Sequence, residues 1–203
     1  MIYKVSKDYL RVIFTEGKRD HCKYVNEFTN AGIKVYSNKQ VVDDFGGESY
    51  NLRIVEEKKQ FKVGEFSVIP FNVRHDVKVD TFGFLLYHPE MGKTVFLTDL
   101  VYSKYVFKDV NNWIIEANYD ENLVRSSDGF LASRVLNSHL SIQNCIKLLQ
   151  ANDLSKTNNI CLIHLSDSNS NAKEFKQKVA DATSKMVTIA EPNLTIDFNK
   201  NPF

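Results

Sequence analysis

Six short apolar runs crowd the first 99 residues: "LRVIF" (10–14), "IKVYS" (33–37), "LRIVE" (52–56), "EFSVIPFNV" (65–73), "FGFLLYH" (82–88) and "TVFLTD" (94–99). They are rich in Val, Ile and Phe, as strands buried on one or both faces are. Between the first two, Cys22, Val25 and Phe28 fall at helical spacing, and Gly32 supplies a helix C-cap. Beyond residue 112 the pattern alternates. "WIIEAN" (113–118) and "ICLIHLSD" (160–167) read as strands. Ser141 is placed to cap a helix whose Ile142, Cys145, Ile146 and Leu149 form one stripe, and Ala172, Phe175, Val179 and Ala182 mark a further helix. "MVTIA" (186–190) and "LTIDF" (194–198) are expected to close the chain as strands. Each half-apolar face must be covered, so this succession implies helices layered on sheet, in one domain spanning 1–203.

Composition narrows the classes. The 203 residues are 43% hydrophobic and 12% aromatic, as in a packed globular protein. Lys and Arg number 26 against 25 acidic residues, so no overall field draws the chain to nucleic acid or an anionic membrane. Cys22, Cys145 and Cys161 are odd in number and lack paired spacing, which argues against disulfides and a thiolate zinc site and fits a reducing cytosol. No apolar run approaches the roughly 20 residues that span a bilayer, and the start "MIYKVSKDYL" is too polar for a secretory signal. A cytoplasmic protein without membrane association is expected.

Four of the five histidines sit where a strand ends or a helix is about to begin. His21 follows "LRVIFTEGKRD", His75 follows "EFSVIPFNVR", His139 precedes Ser141, and His164 lies in "ICLIH". Asp99 ends "TVFLTD", and Glu116 lies in "WIIE". Strand ends are where layered α/β scaffolds converge polar side chains. Carboxylates with neutral imidazoles form a ligand set suited to zinc or manganese. Taken singly, each residue is as readily a turn residue or a satisfied polar group, and His88, followed by Pro89, is read that way.

The order of these segments resembles the metallo-β-lactamase fold superfamily, within it the phosphodiesterase and nuclease branch that includes tRNase Z-like and YycJ-like enzymes. "TEGKRDH" (15–21) stands where that family has Thr-His-x-His-x-Asp-His. "PFNVRHD", "VFLTD", "IIEAN" with "SHLS", and "LIHLSDSNS" are similar to its later site segments. The resemblance implies a four-layer αββα sandwich lacking N-terminal strands. It implies two metal positions sharing Asp99, one formed by Asp20, His21, Asp99 and His164. The other is reduced to His75 and Asp99, because Glu16 and Lys18 replace two histidines. Glu116 and His139 would form the branch's proton shuttle, and Lys18 would hold a phosphate oxygen.

Two functions follow from the resemblance. The first is a metal-dependent phosphodiesterase acting on nucleic acid or a nucleotide with one Zn2+ or Mn2+ ion. The second is an inactive binding or regulatory protein on the same fold, of the kind phage use as inhibitors, with no ion and a protein partner. An uncovered edge of the shortened first sheet would favour a homodimer.

Overall fold

A computed structural model describes residues 11–13, 15, 22–75, 81–125 and 135–201. Among these, the chain order is β1 (Arg11–Ile13), α1 (Val25–Asn30), β2 (Lys34–Ser37), α2 (Lys39–Asp44), β3 (Leu52–Ile54), β4 (Phe61–Val63), β5 (Phe66–Val73), β6 (Thr81–His88), β7 (Gly92–Leu97), β8 (Val110–Glu116), α3 (Glu121–Arg125), α4 (Ile142–Gln150), β9 (Asn159–Ile163), α5 (Ala172–Thr183) and β10 (Met186–Ile189). The strands form two sheets. The smaller, β1-β2-β3, is parallel throughout; the larger runs β10-β9-β8-β7-β6-β5-β4.

Three apolar clusters separate four layers. Val25 of α1 and Val41 and Val42 of α2 pack on Val35 and Leu52 of the small sheet. Ile13 and Tyr36 meet Val68, Phe82 and Phe84 between the sheets, where the Tyr36 and Phe61 rings stack at 5.2 Å. The largest core lies on the other face of the large sheet. There Ile142, Cys145 and Leu149 of α4 and Phe175 and Val179 of α5 cover Trp113, Ile115, Ile160 and Leu162. Each fully buried side chain of this size contributes about 1.5–3 kcal/mol. The sandwich is therefore helix, sheet, sheet, helix.

Local signals place several elements. Ser141 Oγ accepts from Asn144 N at 3.1 Å and starts α4, as its spacing predicts. Past α1, Gly32 adopts φ +78°, and its N–H donates to Thr29 O, the turn a residue without a Cβ makes readily. "KQVVDD", with two β-branched residues, gives no helical signal beforehand; Asn38 Oδ1 accepts from Val41 N at 2.9 Å and turns it into α2. One expectation is corrected: "LTIDF" is not a strand. Side chains hold this segment instead of a ladder, Asn159 Nδ2 reaching Asp197 O and Asn158 Nδ2 reaching Asn199 O, while Lys200 N donates to Glu90 O. No helix among the described residues is long and apolar enough to cross a membrane.

Candidate metal and acid-base site

Strand direction builds the site. β7, β8 and β9 are consecutive parallel neighbours, so their C-terminal ends share one edge of the sheet. β5 is antiparallel to β6 and β6 to β7, and two reversals bring the C-terminal end of β5 to the same edge. Asp99 lies two residues past β7, Glu116 ends β8, His164 follows β9 and His75 lies two residues past β5. His139 arrives from the segment leading into α4. Ile142 N donates to Tyr119 O and Asn118 N to Leu140 O, which pins that segment beside the end of β8.

Asp99, Glu116, His139 and His164 each offer a ligand atom, and these atoms lie within 4.8 Å of one another. Glu116 is 0% exposed and Asp99 1%, while the imidazoles of His139 and His164 are partly open. His139 Nδ1 donates to Glu116 Oε1 at 2.8 Å and stands 3.8 Å from Asp99 Oδ1. His164 Nδ1 is 3.5 Å from Asp99 Oδ1 and 3.4 Å from Glu116 Oε1. Leu100 N donates to Glu116 Oε2 at 3.2 Å, and Thr98 Oγ1 to Asp99 Oδ2 at 3.0 Å. Burial acts to raise the Glu116 pKa, but the hydrogen bonds and charges of His139 and His164 outweigh it and hold the carboxyl below its ordinary value.

Two carboxylates and two imidazoles form a hard and borderline donor set suited to a divalent cation of the zinc or manganese type. Their backbones are unusual as well. Asp99 and His164 adopt φ +52° and +56°, a left-handed conformation that strains side-chain-bearing residues and accumulates at functional sites. His164 sits directly beyond the regular ladder and Asp99 two residues beyond it, both at the same sheet edge.

His75 is buried, its Nδ1 donates to Ser138 O at 2.6 Å, and its ring centroid lies 5.9 Å from that of His139. Of the residues the sequence singles out, His75, Asp99, Glu116, His139 and His164 thus meet at one edge. Glu16, Lys18, Asp20 and His21 lie outside the described residues. Sequence reasoning passed over Asn118. Its Nδ2 donates to His164 O at 2.7 Å, and its backbone bonds both Leu140 and Ser166, tying the His139 and His164 segments together. Its position two residues after Glu116 was the available signal, and an asparagine at a strand end is commonplace.

No family model matches the sequence, and no curated protein matches it. Solved structures share its fold. The metallo-β-lactamase fold protein YhfI from Bacillus subtilis matches with a TM-score of 0.64 at 13% identity, over 90% of this chain and 75% of that one. Igni18, a metallo hydrolase from the archaeon Ignicoccus hospitalis, matches with a TM-score of 0.64 at 13% identity, over 92% and 78%. A possible metal-dependent hydrolase from Veillonella parvula gives 0.62 at 14%, over 95% and 79%. Identities this low carry the architecture and leave the chemistry to the site.

Proposed function

From the metallo-β-lactamase fold of this chain, we propose that it is a metal-dependent hydrolase of phosphoester bonds, acting on a nucleotide or nucleic acid with one Zn2+ or Mn2+ ion. The observation that carries the reading is the Glu116–His139 pair set beside Asp99 and His164. A fold needs neither a buried carboxylate under an imidazole nor two left-handed residues flanking it.

Asp99 and His164 would hold the ion, together with Asp20 and His21 as the family resemblance implies. A divalent cation there supplies Lewis acidity, polarising the scissile phosphoryl group and offsetting the charge that develops on it. Glu116, accepting from His139 Nδ1, fixes that ring and its tautomer and directs Nε2 outward. As the imidazolium, with its Nδ1–H held by Glu116, His139 would deliver its Nε2 proton to the departing alkoxide, which is too basic to leave unprotonated. His75 borders the same space, its Nδ1–H committed to Ser138 O, so Nε2 carries the lone pair of the neutral ring. Lys18 would neutralise a non-bridging oxygen.

The test is hydrolysis of bis-p-nitrophenyl phosphate by protein stripped with a chelator and reloaded with Zn2+ or Mn2+, with metal content measured in parallel. Turnover that requires the ion supports the reading, and on a dinucleotide, whose alkoxide leaving group needs the proton, His139→Ala should cost about 100-fold. A protein that retains no metal and hydrolyses nothing, yet forms a stable complex with a protein partner, refutes it and leaves the inactive binding protein.

A further inference from the structure

Beside the site lies a groove of about 430 Å³ that the acid-base residues do not use, between the 101–106 segment and α4. It starts where the chain leaves the site, since Val101 is two residues past Asp99 and Leu140 follows His139. From there Asn144, Lys147, Leu148 and Ala151 line it at i, i+3, i+4 and i+7 of α4. This stripe runs alongside the Ile142, Cys145 and Leu149 stripe that packs on the sheet. At 1.5 Å per residue it extends roughly 10 Å away from the site.

We infer that this groove holds the nucleotide unit flanking the scissile phosphate, its base against Tyr102 and its own phosphate between Lys104 and Lys147. The inference rests on the phosphoester reading above and specifies the substrate. Lys104 and Lys147 are the only charged residues in the lining, which contains no carboxylate; Lys104 Nζ stands 5.5 Å from the Tyr105 ring centroid, and its charge helps to hold the Glu57 carboxyl below its ordinary pKa. Positive charge on both walls favours an anion. Leu140, Leu148 and Ala151 add apolar surface to the lining. At the rim, Tyr102 is 59% and Val106 65% exposed, which leaves a tyrosine ring open for stacking.

The amides in the groove differ in kind. Asn152 is committed to the protein, its Oδ1 accepting from Phe107 N at 2.6 Å and its Nδ2 donating to Leu148 O at 2.7 Å. Among the described residues the Asn144 side chain makes no hydrogen bond, which leaves its amide to meet a base edge or a ribose hydroxyl. The volume lies within the roughly 300–1,000 Å³ range of small-molecule sites.

Calorimetric titration of the chelator-stripped wild type with AMP, adenosine and inorganic phosphate tests the inference without any need for turnover. AMP should bind, with adenosine and phosphate each weaker. The double charge reversal K104E/K147E should weaken AMP by about tenfold, and Tyr102→Ala by several-fold through lost stacking. Absence of AMP binding, or equal binding by wild type and K104E/K147E, overturns it. Metal-dependent hydrolysis of bis-p-nitrophenyl phosphate without AMP binding removes the groove and keeps the hydrolase. AMP binding sensitive to K104E/K147E without hydrolysis keeps the groove and removes the hydrolase.

Discussion

Glu116→Gln probes the centre of the site, and the structure sets its size. Glu116 Oε2 accepts from Leu100 N at 3.2 Å, and Oε1 accepts from His139 Nδ1 at 2.8 Å. Glutamine has one carbonyl oxygen. With its carbonyl oxygen turned to Leu100 N, its NH2 group is met only by a His139 that has given up its Nδ1 proton, so the charge-assisted bond is lost in a position that is 0% exposed. A hydrogen bond to a charged group is worth about 1.5–3 kcal/mol, so Glu116→Gln should destabilise the metal-free protein by about 2 kcal/mol. Urea unfolding at pH 7 in the presence of a chelator measures this, with an unchanged m-value as the control. His139→Ala and the double variant complete a cycle whose coupling should be about 1–3 kcal/mol.

The pH dependence carries a sign. Burial raises the Glu116 pKa and the two histidines lower it further, with a net value below the ordinary 4.5. A depressed folded-state pKa contributes stability that is complete above 4.5 and is lost as pH falls through the lowered value. Glu116→Gln should lack that acid-side loss. Wild-type stability in the glutamine variant, or coupling near zero, would refute the claim that the carboxylate is the shared acceptor of Leu100 and His139.

Three further perturbations address the scaffold and the ion. Gly83→Ala would set a Cβ 2.6 Å from the Phe71 ring and 2.8 Å from Leu97 Cδ2; Phe71 is wedged against Tyr105 and Phe107 and cannot swing away, so a loss of about 1–3 kcal/mol should appear in thermal unfolding. Asp120 feels burial, which raises its pKa, but Lys178 at 2.9 Å, the Asn122 N–H and Gln143 hold it below 3.8, so Asp120→Asn should flatten the decline in stability as pH drops below that value. Asp99→Asn should weaken zinc retention by at least about tenfold and cut the thermal stabilisation by zinc from about 2.7 kcal/mol, at 100 times the wild-type dissociation constant, to about 1.4 kcal/mol or less.

The sequence was informative wherever a signal is local. Alternating and continuous apolar runs marked most of the strands, Ser141 announced the start of α4, and Gly32 announced the turn after α1. Polar residues at strand ends, with His139 ahead of a helix, flagged His21, His75, Asp99, Glu116, His139 and His164 as one set, of which His21 lies outside the described residues. Short elements escaped: β4 spans three residues, and the valines of α2 favour a strand until Asn38 caps them. "LTIDF" misled in the opposite direction, because a run with strand composition becomes a strand only if a free edge accepts its ladder. Here Asn158 and Asn159 secure the segment through side chains.

What the chain by itself determined, then, is which residues end strands, because periodicity and capping act over a few neighbouring positions. Only the tertiary structure decided that β7, β8 and β9 lie side by side and parallel, an arrangement set by burial against α4 and α5 across the large core. That adjacency brings Asp99, Glu116 and His164, separated by 17 to 65 positions in the chain, within 4.8 Å of one another and of His139. No local propensity encodes such a distance, since it depends on which strands pair.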